Sequence, residues 1–191
     1  MEGWWAASYA VLWVLVLVLG VMVVALARQI GTLHLRLGPR GALEMDDEGP
    51  PLNEAPPPVE ATALDGTPVT VGGPGQSQLL MFVSPGCLVC DRVLPSVPVI
   101  ARSAEFEGVV ITDVDAHETV AAFGSKSGPL PMVASPELTQ SYAVPGTPFL
   151  VILDDKGLVR AKGTVNNLEQ MEGLVETGLR RVRAAQLERV G

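Results

Sequence analysis

Cys87 and Cys90 are the only cysteines in the chain, and they sit inside LLMFVSPGCLVCDRVL (residues 79–94). Four chemistries are open to such a pair: a working dithiol, a metal clip, a structural disulfide, or two inert thiols. The flanking residues narrow the choice. QLLMFVS (Gln78 to Ser84) carries a continuous apolar run, which marks a strand buried on both faces. From Cys87 onward Val89, Val93, Val97 and Ile100 recur near one helical face, with Pro95 and Pro98 placed to kink or interrupt it. The pair therefore falls where a buried strand ends and a helix begins. A sulfur at a helix N-terminus faces unpaired backbone N–H groups and the positive end of the dipole, both of which favour thiolate over thiol. Cys87 is the expected nucleophile, and Cys90, one helical turn on, the shielded partner, a spacing that suits thiol exchange through a mixed disulfide. Asp91 opposes the thiolate slightly, and Arg92 is placed to offset it.

A zinc clip is the weaker expectation, because such sites want four ligands and neither His34 nor His117 falls at ligand spacing from the cysteines. No metal and no other cofactor is expected. His34 is assigned to a membrane surface and His117 to a helix start. A C-x-x-C alone is a weak signal, so an inert structural pair remains open at this point.

The elements that must position the pair follow from pattern. TALDGTPVTVGG reads as a hairpin turning at Asp65-Gly66. GVVITDVD (Gly108 to Asp115) is a second buried strand, HETVAAFGS (His117 to Ser125) a short helix ended by Gly124, and the Pro- and Gly-rich stretch beyond it a loop. PFLVILDDKGLVRAKG (Pro148 to Gly163) gives two strands joined through Asp154 to Gly157, with Lys156 and Arg160 expected on a solvated hairpin. LEQMEGLVETGLRRV (Leu168 to Val182) closes as an amphipathic helix, with Arg180, Arg181 and Arg183 on its solvated face. The order β-α-β-α-β-β-α around a mixed central sheet defines an α/β domain over residues 59–191.

Ahead of that domain no residue from Trp4 to Ala27 is charged, and AVLWVLVLVLGVMVVALA (Ala10 to Ala27) is long enough to cross a bilayer as a helix. Trp4, Trp5, Tyr9 and Trp13 cluster at its start, as an interfacial aromatic belt does. Residues 1–27 are therefore assigned as an uncleaved transmembrane anchor in the lipid bilayer. A signal peptide cut after Ala25-Leu26-Ala27 is the competing assignment, against which stand the length of the segment and the lack of Lys or Arg before it. Residues 28–43 are expected to form an amphipathic juxtamembrane segment and 44–58 a Pro- and acid-rich spacer, its composition running on to Ala61. Arg28, Arg36 and Arg40 follow the span while only Glu2 precedes it, a pattern that places the C-terminal domain in the cytoplasm. The formal net charge of −8 argues against a nucleic-acid partner.

The strand leading into Cys87-Leu88-Val89-Cys90, together with VPGTPFLVI (Val144 to Ile152), resembles the active-site element and the cis-proline loop of thioredoxin-like proteins. That resemblance implies a thioredoxin-like fold, a cis Pro148, and Thr147 beside the sulfurs offering its backbone to an extended client peptide. Pro85 and Gly86 join Thr147 and Pro148 as implied client-binding residues. Pro148 as an ordinary strand-edge proline is the alternative. Two positions depart from the thioredoxin pattern: Met81 stands where a buried acid assists the second cysteine, and Gly86 where a tryptophan precedes the first. Further stretches, ALARQIGTLHLRLGPRGAL, VTVGGP, MFVSPGCLVC and LVRAKGTVN, resemble the MauD family of methylamine utilization proteins over nearly the whole chain. This second resemblance implies a membrane-anchored, periplasm-facing thiol–disulfide oxidoreductase or isomerase that helps form the disulfides of the methylamine dehydrogenase small subunit and is reset by a membrane redox partner. The alternatives are a reductase preparing apocytochrome thiols for haem attachment, and a non-redox tether that only binds a maturation partner.

Overall fold

The computed structural model describes residues 2–36, 48–124, 126 and 128–187. The chain divides into two units, Met1–Pro39 and Arg40–Gly191. In the first, helix α1 spans Glu2–Arg36. Its segment Gly3–Val24, 22 residues, is long and apolar enough to cross a membrane; at ~1.5 Å per residue it reaches about 33 Å, against a hydrocarbon core of roughly 30 Å. Trp4, Trp5, Tyr9 and Trp13 are exposed near its start, the last two in edge-to-face contact at 6.4 Å. The expected juxtamembrane segment is helical as far as Arg36. Residues 37–43, Arg40 among them, and the first part of the spacer, 44–47, lie outside the described residues.

The second unit is built on β3 (Gln78–Val83), whose six residues are all buried. It pairs in parallel with β4 (Glu107–Thr112) and antiparallel with β6 (Phe149–Leu153). β5 (Met132–Ala134) extends the sheet beyond β4, and β7 (Val159–Thr164) beyond β6, giving the order β5-β4-β3-β6-β7. β1 (Val59–Thr62) and β2 (Pro68–Val71) form the expected hairpin as a separate two-stranded sheet. Strand alternation sends Leu79, Met81 and Val83 to one face, packed with Cys90, Val93 and Val97 of the helices α2 (Leu88–Val93) and α3 (Val97–Ser103) and with Met171 and Leu174 of α6 (Leu168–Leu187). Leu80 and Phe82 face the other way, onto Val69 and Val71 of the hairpin and onto Leu138 and Tyr142 around α5 (Pro136–Ser141). Each large apolar side chain withdrawn from water in these two cores contributes about 1.5–3 kcal/mol. A single 3-10 turn, Leu94–Ser96, separates α2 from α3, so Pro95 and Pro98 interrupt the helix as their fixed φ and missing N–H require. Helix α4 (Ala116–Phe123) starts at Asp115, whose carboxylate accepts from Glu118 N–H, and stops at Gly124.

Three expectations are corrected. The stretch expected to be a loop after Gly124 contains β5 and α5: three residues of strand are too short to show a period, but Ser135-Pro136-Glu137 is a helix start, the Ser135 hydroxyl accepting from Leu138 N–H at 3.2 Å. The expected spacer is docked on the domain from Pro50 onward. Pro50 and Pro56 are buried, Asn53 N–H donates to the Val159 carbonyl at 2.8 Å, and Val159 N–H donates to the Glu54 carbonyl at 2.9 Å. The segment thus satisfies backbone groups on the sheet edge, and Val59–Ala61 already belong to β1. Finally, Arg160 and Arg181 are half-buried and engaged with other protein groups, not on freely solvated faces. Arg160 pairs with buried Asp154 at 2.8 Å and donates to Asn53 Oδ1 at 2.7 Å, while Arg181 donates to the Arg160 carbonyl at 2.9 Å. Lys156, Arg180 and Arg183 are exposed as expected.

Tyr142 is fully buried against Phe82, ring centroids 5.5 Å apart, and its hydroxyl has no hydrogen-bond partner among the described residues. Burial pushes its pKa up from 10.0 to about 12. Between those values an unfolded chain gives up the phenolic proton and the native chain keeps it, so the unfolded state binds fewer protons and stability falls as pH rises. The expected loss is on the order of 2–3 kcal/mol across that window, at ~1.4 kcal/mol per unit. Urea unfolding of the detergent-solubilised chain at pH 9 and pH 12 checks it: Tyr142→Phe should remove this part of the alkaline loss, and identical losses in both proteins would contradict it.

Candidate functional site

The site begins where β3 runs out. Ser84, Pro85 and Gly86 carry the chain from Val83 into α2, and Gly86 holds φ +76. A Cβ there would meet nothing within 4 Å, so the left-handed backbone, not crowding, selects glycine over the tryptophan of the thioredoxin pattern. Cys87 then caps the helix: its N–H reaches the Ser84 carbonyl at 3.3 Å, and its Sγ accepts from Cys90 N–H at 3.1 Å. The sulfur takes the place that a hydroxyl or carboxylate oxygen holds in an ordinary N-cap. Cys87 and Cys90 form a disulfide, with Cα atoms 5.2 Å apart. Cys87 is half-buried, whereas Cys90 is fully buried in the same apolar cluster as Met81. An attacking sulfur thus has access to one end of the bond and is excluded from the other.

Thr147 comes from the loop before β6, and its carbonyl oxygen lies 3.7 Å from Cys87 Sγ. The Thr147–Pro148 peptide bond is cis, Thr147 is half-buried and Pro148 is buried. Pro85 is half-buried, Gly86 is exposed, and Leu88, between the cysteines, is 73% exposed. Cys87, Cys90 and Thr147 are therefore brought together, with Pro85, Gly86 and Pro148 as their chain neighbours. His117 is exposed on the first turn of α4, and the side chain of His34 lies outside the described residues. Among the described residues no cluster of three or more His, Cys, Asp or Glu side chains is arranged to hold a metal.

Besides Arg92, a cation the sequence did not point to stands by Asp91: Lys126 Nζ pairs with it at 2.8 Å, and the same ammonium sits 6.0 Å from the centroid of the Phe123 ring. Thirty-five residues separate Asp91 from Lys126, so no local pattern could have linked them. A second pair was equally unread: Ser84 Oγ donates to Asp113 Oδ2 at 2.6 Å. Here a signal did exist, since each residue follows directly on the C-terminal end of one of two neighbouring parallel strands, where α/β sheets place their sites.

The Methylorubrum extorquens methylamine utilization protein MauD is 37% identical over 175 residues, covering 89% of this chain and 84% of its own. The Paracoccus denitrificans MauD is 35% identical over 188 residues, covering 92% and 90% respectively. The chain belongs to the MauD family. No family model matches it. Among solved structures, the thioredoxin domain of a thiol-disulfide oxidoreductase from Bacteroides vulgatus superposes with a TM-score of 0.54 at 18% identity, over 67% of this chain and 97% of that one. StoA from Bacillus subtilis superposes at 0.55 with 16% identity, over 64% and 98%. These place the second unit in the thioredoxin-like fold. With its Cys87–Cys90 disulfide at the strand-to-helix turn, this MauD-family chain is a thioredoxin-like redox protein.

Lys126 is expected to hold part of the Asp91 charge away from Cys87. Cys87 and Asp91 are four apart on one helical turn, where side chains are neighbours. Lys126→Met should make the disulfide harder to reduce, by roughly two- to fivefold in its equilibrium constant with glutathione, the range of an exposed pair. Asp91→Asn should move it the opposite way. Equal constants in all three proteins would show that neither charge reaches the sulfur.

Proposed function

We propose that this protein is a membrane-tethered thiol–disulfide oxidoreductase that works on the periplasmic face and helps form and correct the disulfides of the methylamine dehydrogenase small subunit. The observation that carries this reading is the asymmetric disulfide, with Cys87 reachable and Cys90 sealed, beside an inward-facing backbone carbonyl at Thr147. Membership of a methylamine utilization family supports the client, and the apolar helix α1 supports the tether. The periplasmic side is supported by redox chemistry: a reducing cytosol would hold this dithiol reduced and leave an oxidant role without a driving force. Arg28, Arg36 and Arg40 run against that side by charge pattern.

In the oxidising direction a client thiolate attacks Cys87 Sγ. The Cys87–Cys90 bond breaks and Cys90 leaves as a thiolate that takes up a proton. A second client thiolate then attacks the client sulfur of the mixed disulfide, forming the client disulfide and releasing Cys87 as a thiolate. Two electrons pass from client to protein, and a membrane redox partner must remove them to reset the pair. In the isomerising direction Cys87 thiolate attacks a wrong client disulfide and is expelled again when a client thiolate forms the correct one, with no net change in electrons; where an intermediate is trapped, Cys90 thiolate attacks Cys87 Sγ, re-forming the Cys87–Cys90 disulfide and releasing the client reduced by two electrons. Pro85, Gly86, Thr147 and Pro148 form the client-binding rim, and the Thr147 backbone accepts an extended client segment as an added strand.

Capture of the mixed disulfide checks client and role together. Cys90→Ala, expressed in cells producing methylamine dehydrogenase, should accumulate a reductant-sensitive adduct joining Cys87 to the dehydrogenase small subunit, and Cys87→Ser should abolish both the adduct and maturation. An adduct with apocytochrome instead would move the client assignment to haem attachment. Full maturation with Cys87→Ser would refute a redox role.

A further inference from the structure

Ser84 holds two bonds at once. Its carbonyl accepts the Cys87 N–H at 3.3 Å, and its hydroxyl donates to Asp113 Oδ2 at 2.6 Å, at the short end of the range for such bonds. The other oxygen, Asp113 Oδ1, is buried with no partner among the described residues. A buried acceptor left unsatisfied is a cost, and a cost kept at a redox turn asks for a role. Ser84 and Asp113 follow Phe82 and Ile111, which pack on the hairpin face of the sheet, while Cys90 packs with Met81 and Val83 on the other.

We propose that Asp113 is a positioning residue for Cys87: by holding the Ser84 side chain it fixes the Ser84–Cys87 turn, and so keeps Cys87 Sγ against the Cys90 N–H. The carboxylate acts entirely through Ser84. The residue after β4 supplies the acceptor and the residue after β3 the donor, so the parallel register of Val83 with Thr112 is what brings them together. Releasing the clamp lets the turn swing, and the 3.1 Å bond from Cys90 N–H to sulfur is lost for part of the time. A hydrogen bond to the charged form favours that form, so the Cys87 thiolate becomes less stable. This inference rests on the proposed function, in which Cys87 is the sulfur that exchanges with the client.

The test uses the full chain in detergent micelles, in a Cys90→Ala background where Cys87 is the one thiol. Iodoacetamide alkylation is followed from pH 5 to 10, and Asp91, Arg92 and Lys126, the charged groups around the same turn, are left unchanged. Ser84→Ala and Asp113→Ala should each slow alkylation at pH 7 by about three- to tenfold, the worth of one hydrogen bond to sulfur, and shift the profile upward. The double variant should be no slower than either single one. Asp113→Asn, whose amide oxygen still accepts from Ser84, should keep the parent profile. A parent profile retained by Ser84→Ala and Asp113→Ala, with only the melting temperature lowered, would overturn the proposal. So would Asp113→Asn slowing as much as Asp113→Ala. If Asp113→Ala does not fold, Ser84→Ala against Asp113→Asn decides by the same two criteria. A parent Cys87 that alkylates no faster than an unperturbed thiol overturns both the clamp and the nucleophile assignment, whereas a failed client capture with the profile intact removes the client alone.

Discussion

The register between β3 and β6 is the constraint on which the redox end of the domain depends. Phe82 sits opposite Phe149, and because the two strands are antiparallel the end of one lies beside the beginning of the other. The turn leaving β3 and the loop entering β6 must therefore meet, which brings Thr147 to Cys87 across sixty residues of sequence. A slip of one residue would turn every side chain of the strand to the wrong face, and both faces of β3 are packed. Register is thus held by both cores at once, and site geometry inherits that specificity. Cys90 is itself a member of one of those cores, so the buried sulfur belongs to both the fold and the chemistry.

The opposite end of the sheet is secured by polar contacts. Asp154, almost fully buried, accepts from Lys156 and Leu158 N–H with one oxygen and from Arg160 with the other. Arg160 then reaches Asn53, and Arg181 reaches the Arg160 carbonyl. One carboxylate thereby links the β6–β7 turn, the segment leading in from the N-terminal side, and α6. Charges buried this way hold together because every face of the pair is hydrogen-bonded. The arrangement leaves the cysteine end, with Gly86 and Leu88 open, as the accessible end of β3.

Much of this was legible in the sequence for a physical reason. Strands buried on both faces must be continuously apolar, and LLMFV and PFLVI are; a helix interrupted by Pro95 and Pro98 announces its own breaks. The cysteine pair was legible because C-x-x-C at a strand-to-helix junction is local, and Thr147-Pro148 because the loop resembles a known one. What escaped depends on distance. The partners of Arg160 lie six and 107 residues away, and Lys126 meets Asp91 only after the chain has passed through β4 and α4. Composition alone misled in the Pro-rich segment, which looks like a spacer although Pro50 and Pro56 are buried and the backbone of Asn53 and Glu54 pairs with Val159 on the sheet edge.

A redox pair is only as useful as the compartment it faces, and the side of the membrane on which Cys87 works decides the rest. Among the described residues one segment, Gly3–Val24 of α1, is long and apolar enough to cross a membrane, and the domain that follows it can face either side. The most direct measurement is labelling of the Cys90→Ala chain in briefly reduced spheroplasts with a membrane-impermeant maleimide, with and without lysis, because half-buried Cys87 is then its one reactive thiol. Labelling of intact spheroplasts, unchanged by lysis, is the result expected of a periplasmic thiol–disulfide oxidoreductase. Labelling that appears only after lysis would place the pair in the cytoplasm, where the arginines after the span already point, and would contradict a role in maturing an exported client.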